Sequence, residues 1–193
     1  MQPHLLARTL CGTLLFGLLT GCTSSHSGPK RPEPCGPGPN LIGNPAFALS
    51  DEQGMLPWKA AQHAGQASFM TSYGDGVFTV ERTGPEHWFS LTQFVEVNEL
   101  LGRRLEYRID LKMDTNGEGD IANHDPGAGL VYRIWGQPFA NLPAVTRQLV
   151  QDTFEHEPRL GNHDWTLVSK FIDVPENATR MQLGITLRAN GEL

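Results

Sequence analysis

From Leu41 onward, apolar and polar positions alternate with the two-residue period of extended chain. Phe89, Leu91, Gln93, Val95 and Val97 fall on one side of such a segment, with Trp88, Ser90, Thr92, Phe94 and Glu96 on the other. Leu105, Tyr107, Ile109, Leu111 and Met113 alternate with Arg104, Glu106, Arg108, Asp110 and Lys112, the pattern of a strand with one face in a core and the other in water. Within Thr179–Arg188, Met181, Leu183, Ile185 and Leu187 form the inward set. Val77–Thr83, Gly129–Trp135, Val145–Thr153 and Trp165–Val174 are further strand candidates. Loops rich in Gly, Asn, Asp and Pro separate these runs, and no long segment keeps a helical period. Many strands punctuated by turns predict an all-β sandwich or barrel rather than a parallel α/β sheet.

The first residues follow another pattern. The stretch Leu10–Leu19 is mostly apolar, with Arg8 the only charged side chain ahead of it, and it is too short to cross a bilayer as a helix. It ends in Leu19, Thr20, Gly21 and Cys22, which together resemble the bacterial lipobox. The resemblance implies a lipid on the Cys22 thiol, cleavage before Cys22, and acylation of the new amine. The chemistry needs a thiol nucleophile, with small residues before it so that the peptidase can close on the backbone. The alternative is an ordinary secretory signal in which Cys22 is incidental. More than one acyl chain makes such an anchor stable. Thr23 stands where an aspartate would mark inner-membrane retention in diderm bacteria, so the resemblance implies the outer membrane if the cell has one. Residues 1–21 are thus the expected lipoprotein signal peptide. Residues 22–39, rich in Pro, Gly and Ser with little to bury, are an expected extended tether, and 40–193 a single domain.

Charge narrows the partners. The whole chain carries −6, and loss of residues 1–21 removes Arg8 alone among charged side chains, so the remainder is more acidic still. That balance argues against nucleic acid as a partner. Of the 3 cysteines, Cys11 leaves with the signal and Cys22 is the expected lipid site, so Cys35 alone remains and no disulfide framework is expected inside the domain.

Landmarks along residues 40–193 resemble the jelly-roll carbohydrate-binding modules of families four and nine, which have a galactose-binding-domain-like sandwich. Asn40, Leu41, Ile42, Asn44 and Phe47 resemble their opening motif, followed by Trp58. Trp88 with Gln93, Phe94 and Val95 resembles their Gln-containing central strand, and Gly102 with Tyr107 and Ile109 their Gly-x-x-Tyr turn and strand. Trp165 and Thr166 with Phe171, Val174 and Pro175 resemble a later segment; Leu183 with Ile185, and Gly191 with Leu193, resemble the closing region. The resemblance implies a non-catalytic β-sandwich that takes a glycan or polysaccharide. Family members continue past this point with a strand that pairs near the amino-terminal one. A domain ending at Leu193 would therefore lack its closing strand, expose an edge, and be less stable than a complete module, unless the sequence is shortened.

Sugar binding needs flat aromatic faces against C–H surfaces and planar polar groups for hydroxyls. Arg133 and Trp135 share a face of their strand with Val131, and Gln137 follows; Arg133, Trp135 and Gln137 are the candidate carbohydrate-binding set. The competing reading makes Trp135 a core residue with Arg133 laid over it. Core packing is the expectation for Trp58 and Trp165, and Gln93 is expected to be structural or at a cleft floor. Arg104, Arg108, Asp110 and Lys112 form a polar face that is either a cleft or simply wet.

The segment from Asp114 to Asp125 has the oxygen spacing of a calcium loop, with Asp114, Asn116, Glu118 and Asp120 as candidate ligands to a structural calcium. Asp125 at the last position is shorter than the usual glutamate and the flanks read as strands, so a solvated loop is the competing reading. The clusters Glu155, His156, Glu157 and Asn162, His163, Asp164 flank a Pro–Gly loop without ligand periodicity, and no hydrolase motif occurs, so no catalytic residues are assigned. The sequence therefore predicts a membrane-anchored lipoprotein displaying a carbohydrate-binding sandwich. The alternatives are an envelope protein-interaction module and, behind it, a small hydrolase.

Overall fold

The computed structural model describes residues 38–47, 56–63, 65–117, 126–139, 142–153 and 160–193. Cys22, Cys35, the tether before residue 38 and Glu155, His156 and Glu157 lie outside these residues. The alternating runs are strands. In chain order they are β1 (Lys59–Gln62), β2 (Phe69–Gly74), β3 (Val77–Arg82), β4 (Phe89–Val95) and β5 (Arg104–Asn116), followed by β6 (Ala128–Phe139), β7 (Leu142–Thr153), β8 (Gly161–Asp173), β9 (Ala178–Leu187) and β10 (Asn190–Glu192). No helix occurs among the described residues.

The strands form two five-stranded antiparallel sheets, ordered β1-β4-β9-β6-β7 and β2-β3-β10-β5-β8. The pairing is nested. β6 pairs with β7, β5 with β8, β4 with β9 and β3 with β10, each pair enclosing the one before it in sequence and lying in the other sheet. A long hairpin wrapped in this way across two sheets is a jelly roll, the all-β fold expected from the alternation.

Between the sheets lies one core. Leu91, Ile134, Ile172, Met181, Leu187 and Val80 are among its most deeply buried side chains. Each comes from the inward parity of its strand, and burying each contributes about 1.5–3 kcal/mol. Trp58 joins this core as expected, with its indole N–H donating to the Asn44 carbonyl at 3.0 Å and its ring 5.4 Å from that of Phe47. Gln93 occupies an inward position of β4 although it is polar. Its amide accepts from Gly43 N–H at 2.9 Å and donates to Gly43 C=O at 3.1 Å, pinning the segment before β1 as a paired strand would. The structural reading of Gln93 holds.

Trp165 corrects an expectation. It is 53% exposed on β8, near Leu167 at 58%, because both have the parity opposite to that of the inward Val168 and Ile172, with Leu167 lying across from the exposed Asp110 of β5. Inward positions on β8 are instead taken by Val168 and Ile172.

β10 lies between β3 and β5. It pairs Asn190, Gly191 and Glu192 with Asn116, Thr115 and Asp114, and Glu192 with Glu81. Leu193 exchanges two backbone bonds with Val80, each 2.9 Å. Gly191 has φ +110, and a Cβ there would strike the Asp114 carbonyl, so only glycine brings β10 this close to β5. A cavity of about 490 Å³ lies beside Leu193, lined by Val77, Phe78 and Thr79 of β3 and by Arg108 to Lys112 of β5.

Candidate binding site

Each sheet has an outer face, and the two differ in kind. On the second sheet, Arg104, Arg108, Asp110 and Lys112 stand exposed along β5, with Arg104 forking onto Asp173 at 2.6 and 2.7 Å. On the first sheet, the outward positions combine aromatics, amides and guanidinium groups.

Register defines that second set. Phe94 of β4 lies opposite Gln182 of β9, Gln182 opposite Arg133 of β6, and Arg133 opposite Gln151 of β7. One row along, Arg180 lies opposite Trp135, and Trp135 opposite Gln148. On the other side of the first row come Lys59, Thr92, Gly184 and Val131, again from neighbouring strands. Directly opposed residues share a face of a sheet, so these side chains form one surface across β1, β4, β9, β6 and β7.

Hydrogen bonds and ring contacts hold the surface in shape. Gln182 donates to the Thr92 hydroxyl at 2.8 Å, and its carbonyl oxygen accepts from Arg133 at 3.3 Å, a relay spanning three strands. The guanidinium of Arg180 sits 4.7 Å from the Phe94 ring centre and 4.5 Å from that of Trp135. The two rings are themselves 6.1 Å apart and tilted by 47°. Contacts this close between a cation and two ring faces contribute about 0.5–1 kcal/mol each when exposed.

Exposure grades along the face. Phe94, Arg180, Gln148 and Gln151 are exposed, Trp135, Arg133 and Gln182 half-buried, and Ser90, Thr92, Val131, Thr186 and Arg188 buried. Val131 is buried without belonging to the inter-sheet core, as its outward parity requires. The accessible end is therefore the one that carries the aromatic pair. Gly184 shapes the floor beside it: a Cβ there would collide with the Leu91 carbonyl and Thr92, so this row has no side chain between Thr92 and Val131. Burial, and secondarily the positive charge of Arg188, hold the Arg133 guanidinium below its ordinary value; it stays cationic at neutral pH.

The structure thus brings two of the expected residues together. Arg133 and Trp135 share the outer face of β6, and Trp135 is not a core residue. Gln137 is exposed, but the pairing of β6 shifts register on both sides of Gly136, so simple alternation does not carry it onto the same strip. Phe94, Arg180, Gln182, Gln148 and Gln151 were not singled out from the sequence. Their signal was present only in part: Phe94 stood with Ser90 and Thr92 on the polar side of its strand, but no single-strand pattern reveals which residues register sets beside it.

Two of the four expected calcium ligands fall within the described residues. Asp114 and Asn116 belong to β5 and pair with β10 and, for Asp114, with Asn162 of β8, so they stand on a ladder rather than opening a loop. Glu118 and Asp120 lie outside the described residues. Among the described residues no group of three or more His, Cys, Asp or Glu is arranged to hold a metal. His163 bonds the Leu160 carbonyl at 2.8 Å and Asp164 accepts from Trp165 N–H at 2.9 Å, both local contacts at the start of β8.

No protein-family model matches the chain, and no curated protein matches it. Solved structures do match. The enzymatically active domain of tailspike protein 4 from bacteriophage CBA120 is 14% identical, with a TM-score of 0.48 over 79% of this chain and 20% of that one. The chain thus spans about a fifth of that protein's length. A structure described as "CBM4 structure and function" is 16% identical, with a TM-score of 0.42 over 79% of this chain and 90% of that one. A xylan-binding domain from CBM 22 is 12% identical, with a TM-score of 0.40 over 76% of this chain and 90% of that one. The chain is similar to these proteins; that it is a jelly-roll sandwich follows from the nested pairing of its own strands β3 to β10.

Proposed function

We propose that this chain is a lipid-anchored protein of the bacterial cell envelope whose sandwich binds a glycan or polysaccharide without catalysing a reaction on it. The observation that carries the binding half is the accessible strip on the first sheet: two aromatic rings, Phe94 and Trp135, edged by the planar polar groups of Gln182, Arg133, Gln148 and Gln151. Rings of this kind take the C–H faces of sugars, and amides and guanidinium groups take the hydroxyls.

A glycan array probed with the full-length chain in detergent tests it. Binding that falls about tenfold or more in Trp135→Ala, with the unfolding midpoint unchanged, is the expected result; about 1.4 kcal/mol of lost contact suffices for that factor. Retained affinity in the variant would remove the strip from the reading. The anchoring half rests on the lipobox-like run that ends at Cys22. Globomycin should cause the unprocessed precursor to accumulate, and normal processing under the drug would exclude lipidation.

A second reading is favoured by one observation on the other sheet. Trp165 and Leu167 are exposed on β8, and Trp165 lines the cavity between β3 and β5. Exposed large apolar groups on a strand at the edge of its sheet among the described residues suit an envelope protein partner. Specific capture of one envelope protein, lost in Trp165→Ser and unaccompanied by glycan binding, would establish that reading over the first.

A further inference from the structure

The outer face of the first sheet is basic in a chain that is acidic overall, with a net charge of −6. Lys59, Arg133 and Arg180 all stand on it by register, and Arg188 follows on the same parity of β9. Arg133 is bonded to the neutral amide of Gln182, and Arg180 to two rings. Among the described residues, no ion pair joins Arg133 or Arg180 to a carboxylate. Among the described residues the outward acid at this end is Glu96, which lies beyond Phe94 and is exposed.

This arrangement costs free energy in the unliganded protein. Arg133 is half-buried, and the positive charge of Arg188 reaches it. Neutral sugar hydroxyls would be served as well by the amides already present, without that cost. A ligand carboxylate, by contrast, would relieve the repulsion and form charge-assisted bonds with the guanidinium groups, which bind planar carboxylates two N–H bonds at a time. A guanidinium held against aromatic rings keeps its donors in its own plane for such a ligand.

Resting on the carbohydrate reading above, we propose that the glycan is an acidic one, carrying uronic-acid carboxylates, and that Arg180 and Arg133 are the groups that bind them.

Calorimetric titration of the full-length chain in detergent tests this with three matched pairs: oligogalacturonate, oligoglucuronate and oligomannuronate, each against its carboxyl-reduced neutral counterpart. The expected result is that at least one acidic oligomer binds about tenfold or more tightly than its neutral form, an advantage that shrinks as salt is raised. Arg180→Gln and Arg133→Gln should each pull that ratio toward one, whereas Lys112→Gln, on the second sheet, should leave it unchanged. Equal or tighter binding of a neutral oligomer would overturn the acidic class while leaving the carbohydrate reading in place. A preference that survives both arginine variants would overturn the assignment to this face. Binding of none of the six, with no neutral glycan bound on the array either, would overturn both.

Discussion

Arg180 is exposed, yet its guanidinium is fixed between two rings, and that is a property no single position reveals. Its neighbours in sequence are Thr179 and Met181; its neighbours in space are Phe94, Trp135 and the row that register sets beside them. Residue-scale expectations succeeded where a side chain answers to its own strand. Arg133 and Trp135 share a face because alternation says so, and Gln137 is not carried along because the bulge at Gly136 breaks that alternation. Two buried polar side chains give tests at this scale. Gln93→Leu keeps the volume of the site but strips both partners from Gly43, whose N–H and C=O would then be unmet; a loss of about 1–3 kcal/mol in urea unfolding is expected. Tyr107 is the opposite case. Its hydroxyl is buried with no hydrogen-bond partner among the described residues, and burial pushes the phenol well above its ordinary pKa. Tyr107→Phe should therefore be neutral or stabilising by up to about 1 kcal/mol, and a clear loss of stability in the same assay would mean the hydroxyl has a partner.

At the scale of elements, the long central strands were legible and the short ones were not. β4, β5 and β9 announce themselves because one face of each is buried throughout, whereas β1, β2 and β10 lie on edges or run for a few residues and have little apolar periodicity to show. β5 and β8 are also tied at their ends by Arg104 and Asp173. The hydrogen bond from Arg104 holds the Asp173 carboxyl below the usual carboxylate range. A group lowered in the folded state adds stability above its unfolded pKa, and that increment disappears as pH falls through the folded one. The pair should thus contribute at neutral pH and fade below about pH 4. Both side chains are largely exposed, so the increment is under about 1 kcal/mol, and Arg104→Met should flatten the acid limb of the stability curve by no more than that.

For the whole molecule, nesting decides which residues meet. The wrapped hairpin places β4, β9 and β6 side by side although 90 residues separate Thr92 from Gln182, and the binding strip exists only because those three strands are adjacent. Local patterning was enough to foresee a sandwich; it could not show which of the two outer faces would gather aromatics and amides and which would carry a solvated charge ladder. One consequence of the Phe94–Arg180–Trp135 stack is optical. Trp135 has a guanidinium against its ring on the accessible strip, so a ligand that displaces or draws on Arg180 alters the electric field across that indole. Intrinsic emission should change in step with occupancy and saturate with the ligand, and it should not respond in Trp135→Phe, making the protein its own fluorescent indicator for whatever it binds.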